Sequence, residues 1–200
     1  MTTTPEWLLS LAVGLISLTS LGLLIIRDWR WNVATLATQY IDVLVLVSPS
    51  WPLELAVTKM IAGWMAGAVL GVAIANTPKV LPEETRPNLS ERLFRLIAAG
   101  VVALVVVSVV PLASAWFTQI NAASLWGAFI LMGMGLLDLG LTNHPLRVTL
   151  GLLTVLSGFE ILYAAVESST LVAGLLAGVN LMLALVCAYL LVTPLLEETE

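Results

Sequence analysis

The sequence predicts an all-α polytopic membrane protein with seven transmembrane helices, its N-terminus outside and its C-terminus in the cytoplasm. Three observations carry that reading. Apolar residues make up 60% of the 200-residue chain, only 10% are charged, and the mean hydropathy is +1.03, a balance that excludes an ordinary soluble domain. Seven runs approach or exceed the ~20 residues needed to cross a hydrocarbon core of roughly 30 Å. Of the eight Lys and Arg, all but Lys59 lie in or beside alternate loops, on one side of a seven-span arrangement. Cytoplasmic loops retain such residues.

The first run, 7–26, follows MTTTPEW, which lacks the basic n-region of a signal peptide. The first basic residues, Arg27 and Arg30, come after the run, so it reads as a retained span. They open the second run, 31–48, which holds Gln39 and Asp42. The turn SPSWP leads into the third, 52–76, with Lys59 and with Gly63, Gly67 and Gly71 spaced by four, a face that admits a close neighbour. KVLPEETRPNLSER, with Pro78 just before it, reads as a loop because its prolines and charges punctuate regular structure. The fourth run, 94–116, contains Pro111, which removes a backbone donor and is expected to bend the helix. The fifth, 122–142, turns through TNHP into the sixth, 147–166, and the seventh, 169–192, carries Gly174 and Gly178 on a second small-residue face. Trp7, Trp29, Trp31, Trp51, Trp116 and Trp126 fall near predicted span ends, where an amphipathic ring suits the interface. Trp64 does not, and reads as packing.

Four sections follow: an N-terminal three-helix part at 1–76, a cytoplasmic loop at 77–93, the fourth helix and turn at 94–121, and a three-helix module at 122–200 ending in the acidic tail EETE. With one cysteine, Cys187, and one histidine, His144, the chain can build neither an internal disulfide nor a His/Cys metal cluster, so no cofactor is expected. No basic patch suits nucleic acid. The predicted partners are the lipid bilayer and other membrane proteins.

Three ionisable residues lie well inside predicted spans: Asp42, Lys59 and Glu160. A charge at the centre of a spanning helix raises the insertion free energy by roughly 2.5–3.5 kcal/mol, so such a group is usually paired or functional. Asp42 and Lys59 are each about 10 Å from the outer ends of consecutive spans at 1.5 Å per residue. The hairpin should bring them together, either as a pair that fixes helix register or as part of an ion path. Lys59 shares its face with Gly63, which points it toward protein. Glu160 is the lone charge between Val148 and Val166. Thr149, Ser157, Tyr163 and Glu167 fall within about 60° of its direction, a polar stripe along which a carboxyl can exchange a proton with waters or partner groups. A carboxyl hydrogen-bonded to a neighbouring helix fits the same pattern. Asp138, Glu54 and Glu167 sit close enough to span ends to read as interfacial, and Arg147, preceded by Asn143 and His144, marks the entry to the sixth span.

The run NHPLRVTLGLLTVLSGFEILYAA resembles the middle helix of the small K-type subunit of complex I and of the C subunit of multisubunit cation/proton antiporters. Gly158, Phe159, Glu160 and Ile161 match the family's core. The preceding helices, with SLTSLGLL, Gln39 and AVTKM around Lys59, resemble the longer E-type subunit of energy-converting hydrogenases of the formate hydrogenlyase type. The resemblance implies a non-catalytic antiporter-like subunit of a complex that couples a redox or other driving reaction to proton or sodium movement. It further implies a large antiporter-like partner subunit and residence in a bacterial inner membrane or a similar energy-transducing membrane such as a thylakoid. Glu160 takes the place of the family's intramembrane glutamate. The family's second acidic residue aligns with Asn180, which cannot ionise. The candidate ion path is therefore Glu160, Lys59, Asp42, Asn180, Ser157 and Tyr163, with other stations in partner subunits. A structural or assembly subunit, and a stand-alone channel or transporter, are the competing readings.

Overall fold

The computed structural model describes residues 5–77, 89–167 and 169–197. Lys79, Arg86 and most of the expected 77–93 loop lie outside the described residues, as does the end of the acidic tail. The described residues form seven α-helices: α1 (Glu6–Ile25), α2 (Trp29–Val47), α3 (Leu53–Asn76), α4 (Leu89–Trp116), α5 (Ala122–Gly140), α6 (Pro145–Val166) and α7 (Thr170–Glu197). No strand occurs among them.

Local chemistry sets several starts. Asp28 accepts from the Arg30 amide at 2.9 Å and Asn121 from the Ala123 amide at 2.9 Å, each occupying an N–H that has no partner within its helix. Pro145 begins α6, where its fixed φ fits and its missing N–H costs nothing. Two boundaries differ from the sequence reading. α4 begins at Leu89 and not at 94, so Glu91, Arg92 and Arg95 belong to its first turns, and α7 runs to Glu197. Pro111 lies within a continuous α4.

Six of the helices are long and apolar enough to cross a membrane. α2 is the exception. At 19 residues it is about 28 Å long at 1.5 Å per residue, but Asn32, Gln39 and Asp42 lower its hydropathy, and all three are buried in the bundle. Its polar groups face protein because α2 packs against α1, α3, α5 and α6. By contrast α4, which holds the most apolar stretch, touches mainly α5 and is coated by exposed Leu and Val side chains, the surface that lipid requires.

The closest packing joins α5 to α6. Glycines permit it: a Cβ on Gly158 would lie 2.7 Å from the Ala128 carbonyl oxygen, and one on Gly135 would lie 2.9 Å from that of Gly151. α7 packs far more on α3 than on α6, so the expected 122–200 module is shared with the N-terminal helices. Gly63 bears out the third-span packing face, since the Tyr40 ring occupies the space a Cβ would need. Gly67 and Gly71 contact Val33 loosely. Gly174 and Gly178 meet nothing within 4 Å, so their face is open and the internal packing role expected for it is not found.

The two ends of the bundle differ in charge. Arg95 of α4 and Arg147 of α6 donate to the carbonyls of Leu24 and Ile26, at 2.9 and 2.6 Å, where α1 runs out of intrahelical partners. Arg27 and Arg95 both engage Glu91. The expected clustering of arginines at one end is thus built into the packing. At the other end Trp51 is buried and donates its indole N–H to the Glu167 carbonyl at 2.9 Å, which ties the α2–α3 turn to α6. It lies between the ends of two helices, as expected, and is covered there by protein. Trp64 is half-exposed and bonds the Ala37 carbonyl across the α2–α3 hairpin, in keeping with packing.

Candidate functional site: a buried lysine–glutamate pair

The site lies where α2, α3, α6 and α7 converge. Lys59 enters from α3, and its ammonium is in direct contact with Glu160 of α6. Both are buried, at 5% and 1% exposure. The sequence reading pairs Lys59 with Asp42; the structure pairs it with Glu160, and the geometry of α2 gives the reason. Tyr40 lays its ring on Gly63 of α3. Asp42 is two residues on, about 200° around the same helix, and so cannot face α3 as well. It is buried at 4% exposure, without an ion pair or side-chain hydrogen bond among the described residues.

Tyr40 completes one wall. Its ring centroid is 5.5 Å from the Lys59 Nζ, within reach of a cation–π attraction. The sequence reading passed over this tyrosine. Its hydroxyl lies beside Ser157, one turn before Glu160 on α6. Asn180 closes the site from α7: fully buried, its carboxamide lies beside the Glu160 carboxyl, although neither of its polar atoms makes a hydrogen bond of normal geometry. Asn180, which cannot ionise, therefore faces Glu160.

Ser157 joins the site as expected, and Tyr163 does not. It is only half-buried and stacks on Phe159, with ring centroids 6.1 Å apart. Glu167 is exposed at the end of the stripe, whereas Thr149 is buried at its other end.

A second buried polar group lies along the same helices. Gln39 of α2 donates to the Ser20 hydroxyl of α1 at 3.3 Å and accepts from Thr154 of α6 at 3.5 Å, contacts at the long end of hydrogen-bond range. Asn32, one α2 face with Gln39 at a spacing of seven, is buried with its amide unpartnered. That spacing was a legible signal of a polar α2 stripe. Asp138 lies near the end of α5, as expected, but is covered by protein: it is buried at 4% exposure, 3.7 Å from Arg147.

The pair's chemistry follows from its net charge. An ammonium beside a carboxylate sums to zero, and passing one proton across yields an amine and a carboxylic acid, again zero. A proton can therefore shift within the pair without leaving a net charge in a medium where charge is costly. Four helices hold the groups, so their separation depends on packing and not on a loop. Among the described residues no group of three or more His, Cys, Asp or Glu side chains is placed to hold a metal ion.

Comparison with protein-family models, with curated proteins and with solved structures finds no match.

Proposed function

We propose that this chain is a small antiporter-like membrane subunit of a multisubunit complex that couples a redox or other driving reaction to ion translocation, with Glu160 as a buried proton-relay carboxylate. The observation that carries the reading is the contact of Lys59 with Glu160 at a buried four-helix junction. Intramembrane ionisable groups that pair within a bundle mark proton relays and ion pathways in many membrane proteins. The match of Gly158–Ile161 to the core of the K-type helix supports it. On this reading all seven helices span the membrane, with the N-terminus outside, the arginine end in the cytoplasm, and α2 admitted because its polar groups are covered by protein. The membrane is an energy-transducing one of bacterial type. A large antiporter-like subunit docks alongside and supplies the remaining stations of the path.

The relay works by alternating the pair between its ionic and neutral forms. Reprotonation comes from one side and release goes to the other, with Ser157 and Tyr40 as hydroxyl groups next to the pair. The test is proton uptake into vesicles holding the intact complex, normalised to turnover of the driving reaction and to the amount of this subunit. Glu160→Gln alone leaves Lys59 buried and unpaired, so the decisive variant is Lys59→Met with Glu160→Gln, which removes both charges together. Assembled complex with pumping lost is the expected result. Full pumping by that variant would return the chain to a structural role, which its closed internal pairing also fits.

A further inference from the structure

A stripe of buried polar side chains leads from the arginine end of the bundle to Glu160 and stops there. Ile26, whose carbonyl accepts from Arg147 at 2.6 Å, and the start of α2 mark that end. Asn32 lies three residues into α2, and both polar atoms of its buried carboxamide lack a hydrogen bond among the described residues. Seven residues on, about 10 Å along the same face, Gln39 links the Ser20 hydroxyl at 3.3 Å to that of Thr154 at 3.5 Å. Ser157 and Glu160 follow Thr154 on α6 at successive three-residue steps, a spacing that sets neighbours about 5–6 Å apart. Every one of these side chains is at most 3% exposed except Arg147. Beyond Glu160 the character changes. Val43, Val47, Ala56, Ile161 and Ala164 belong to one buried apolar cluster, which Trp51 joins at the far end. Ser124, buried at that end, has its hydroxyl committed to the Leu46 carbonyl at 2.7 Å. Asp42, one turn past Gln39, is about level with Glu160 and does not extend the stripe past it.

We propose that this stripe is a hydrated path by which protons reach Glu160 from the arginine end, and that the apolar cluster between Val43 and Trp51 seals the pair from the opposite side. The proposal deepens the relay reading above and rests on it; it adds a direction of entry and gives Asn32, Gln39, Ser20 and Thr154 a part. A buried amide left without a partner costs about 1–3 kcal/mol, and a buried water is held where two to four polar groups surround it. The stripe supplies such groups at each level. Thr154 and Ser157 donate to the Leu150 and Leu153 carbonyls, each at 2.8 Å, so their oxygen lone pairs remain to accept from water along the face that leads to the carboxylate. A proton then moves by exchange: each water takes one proton and passes on another, the Glu160 carboxylate takes the last, and only O–H bonds form and break. The apolar cluster offers no such foothold, and apolar space stays dry.

Silver-ion accessibility tests the path in sealed vesicles that hold the intact complex. Silver ion is close to water in size, does not cross the bilayer unaided, and caps a thiol against later alkylation in SDS. In a chain with Cys187→Ser, the single changes Asn32→Cys, Thr154→Cys, Val47→Cys and Ala164→Cys are each exposed to silver from one face at a time. Asn32→Cys and Thr154→Cys should lose alkylation only when silver is at the arginine end, and Val47→Cys and Ala164→Cys should keep it with silver on either side. Full alkylation of the first two after silver at the arginine end would overturn the proposal, as would capping of any of the four from the opposite face. If the cysteine variants do not assemble, Thr154→Val, which keeps the side chain's shape, decides the matter. It should lose most of the proton uptake per turnover of the driving reaction, and Thr154→Ser, which keeps the hydroxyl, should restore most of it. Full uptake by an assembled Thr154→Val complex overturns the proposal. Silver capping needs no turnover, so its pattern bears on the path alone, whereas full pumping by the double-neutral complex would remove the relay itself and leave a wet stripe with no proton to deliver.

Discussion

At the scale of single residues, Lys59, Glu160, Tyr40 and Gly63 act as one unit. Removing one partner of a buried pair strands the other, a loss of about 3–5 kcal/mol, while removing both is far milder. Lys59→Met and Glu160→Gln should therefore each lower the thermal midpoint of the detergent-solubilised chain sharply, and the double variant should regain most of it. Asp42→Asn removes a carboxyl that has no partner among the described residues and should change stability by less than about 1 kcal/mol. Damage from Asp42→Asn as severe as from Lys59→Met would mean that Asp42 shares the lysine after all. Gly63→Ala drives a methyl into the Tyr40 ring and should cost about 1–3 kcal/mol as overpacking. Tyr40→Ala in the same chain should relieve that clash, so the two changes should be strongly non-additive.

At the scale of helices, glycine spacing alone did not tell which faces are packed. Gly63 and Gly158 allow close approach of neighbouring groups, but Gly174 and Gly178 share the same four-residue spacing and meet open space. The spacing records that a backbone can be approached, and only tertiary packing decides whether it is. Gly158→Ala should destabilise the solubilised chain because a carbonyl oxygen of α5 stands in the way, whereas Gly174→Ala and Gly178→Ala should stay within about 0.5 kcal/mol of the wild type. Comparable losses at all three would show that α7 is covered in the solubilised particle. Helix positions were largely legible because a run of about 20 apolar residues has one reading in a bilayer. The pairing was not. It depends on how α2 is rotated, and Tyr40, a residue with no charge to draw notice, sets that rotation through its contact with Gly63.

For the whole molecule, the arginine end is a structural joint as well as a topological signal. Arg95 and Arg147 reach from two helices to the last carbonyls of a third, so the ends of α1, α4 and α6 on the arginine side are held in register. With that end in the cytoplasm, a reporter fused after Glu200 should be active only as a cytoplasmic enzyme. Alkaline-phosphatase activity from the same fusion would reverse the topology. The one-sided Lys and Arg made this end legible from sequence, while its capping contacts, which need the ends of three helices in space, were hidden.

The span between Lys59 and Glu160 also sets a timetable. The two residues are 101 positions apart, so at a synthesis rate of about 5–20 residues per second the lysine exists for roughly 5–20 s before its glutamate is made. During that interval α2, the least apolar helix, and α3 with its bare ammonium depend on the insertion machinery or on waiting at the water interface. Until α6 is made, Lys59 has no glutamate beside it, and a nascent chain that stalls earlier should expose that lysine to membrane quality-control proteases. Chains truncated after Leu141 should be degraded rapidly in cells, and Lys59→Met should lengthen their half-life, as pulse–chase labelling would measure. Equal half-lives would show that the lysine is tolerated without its partner.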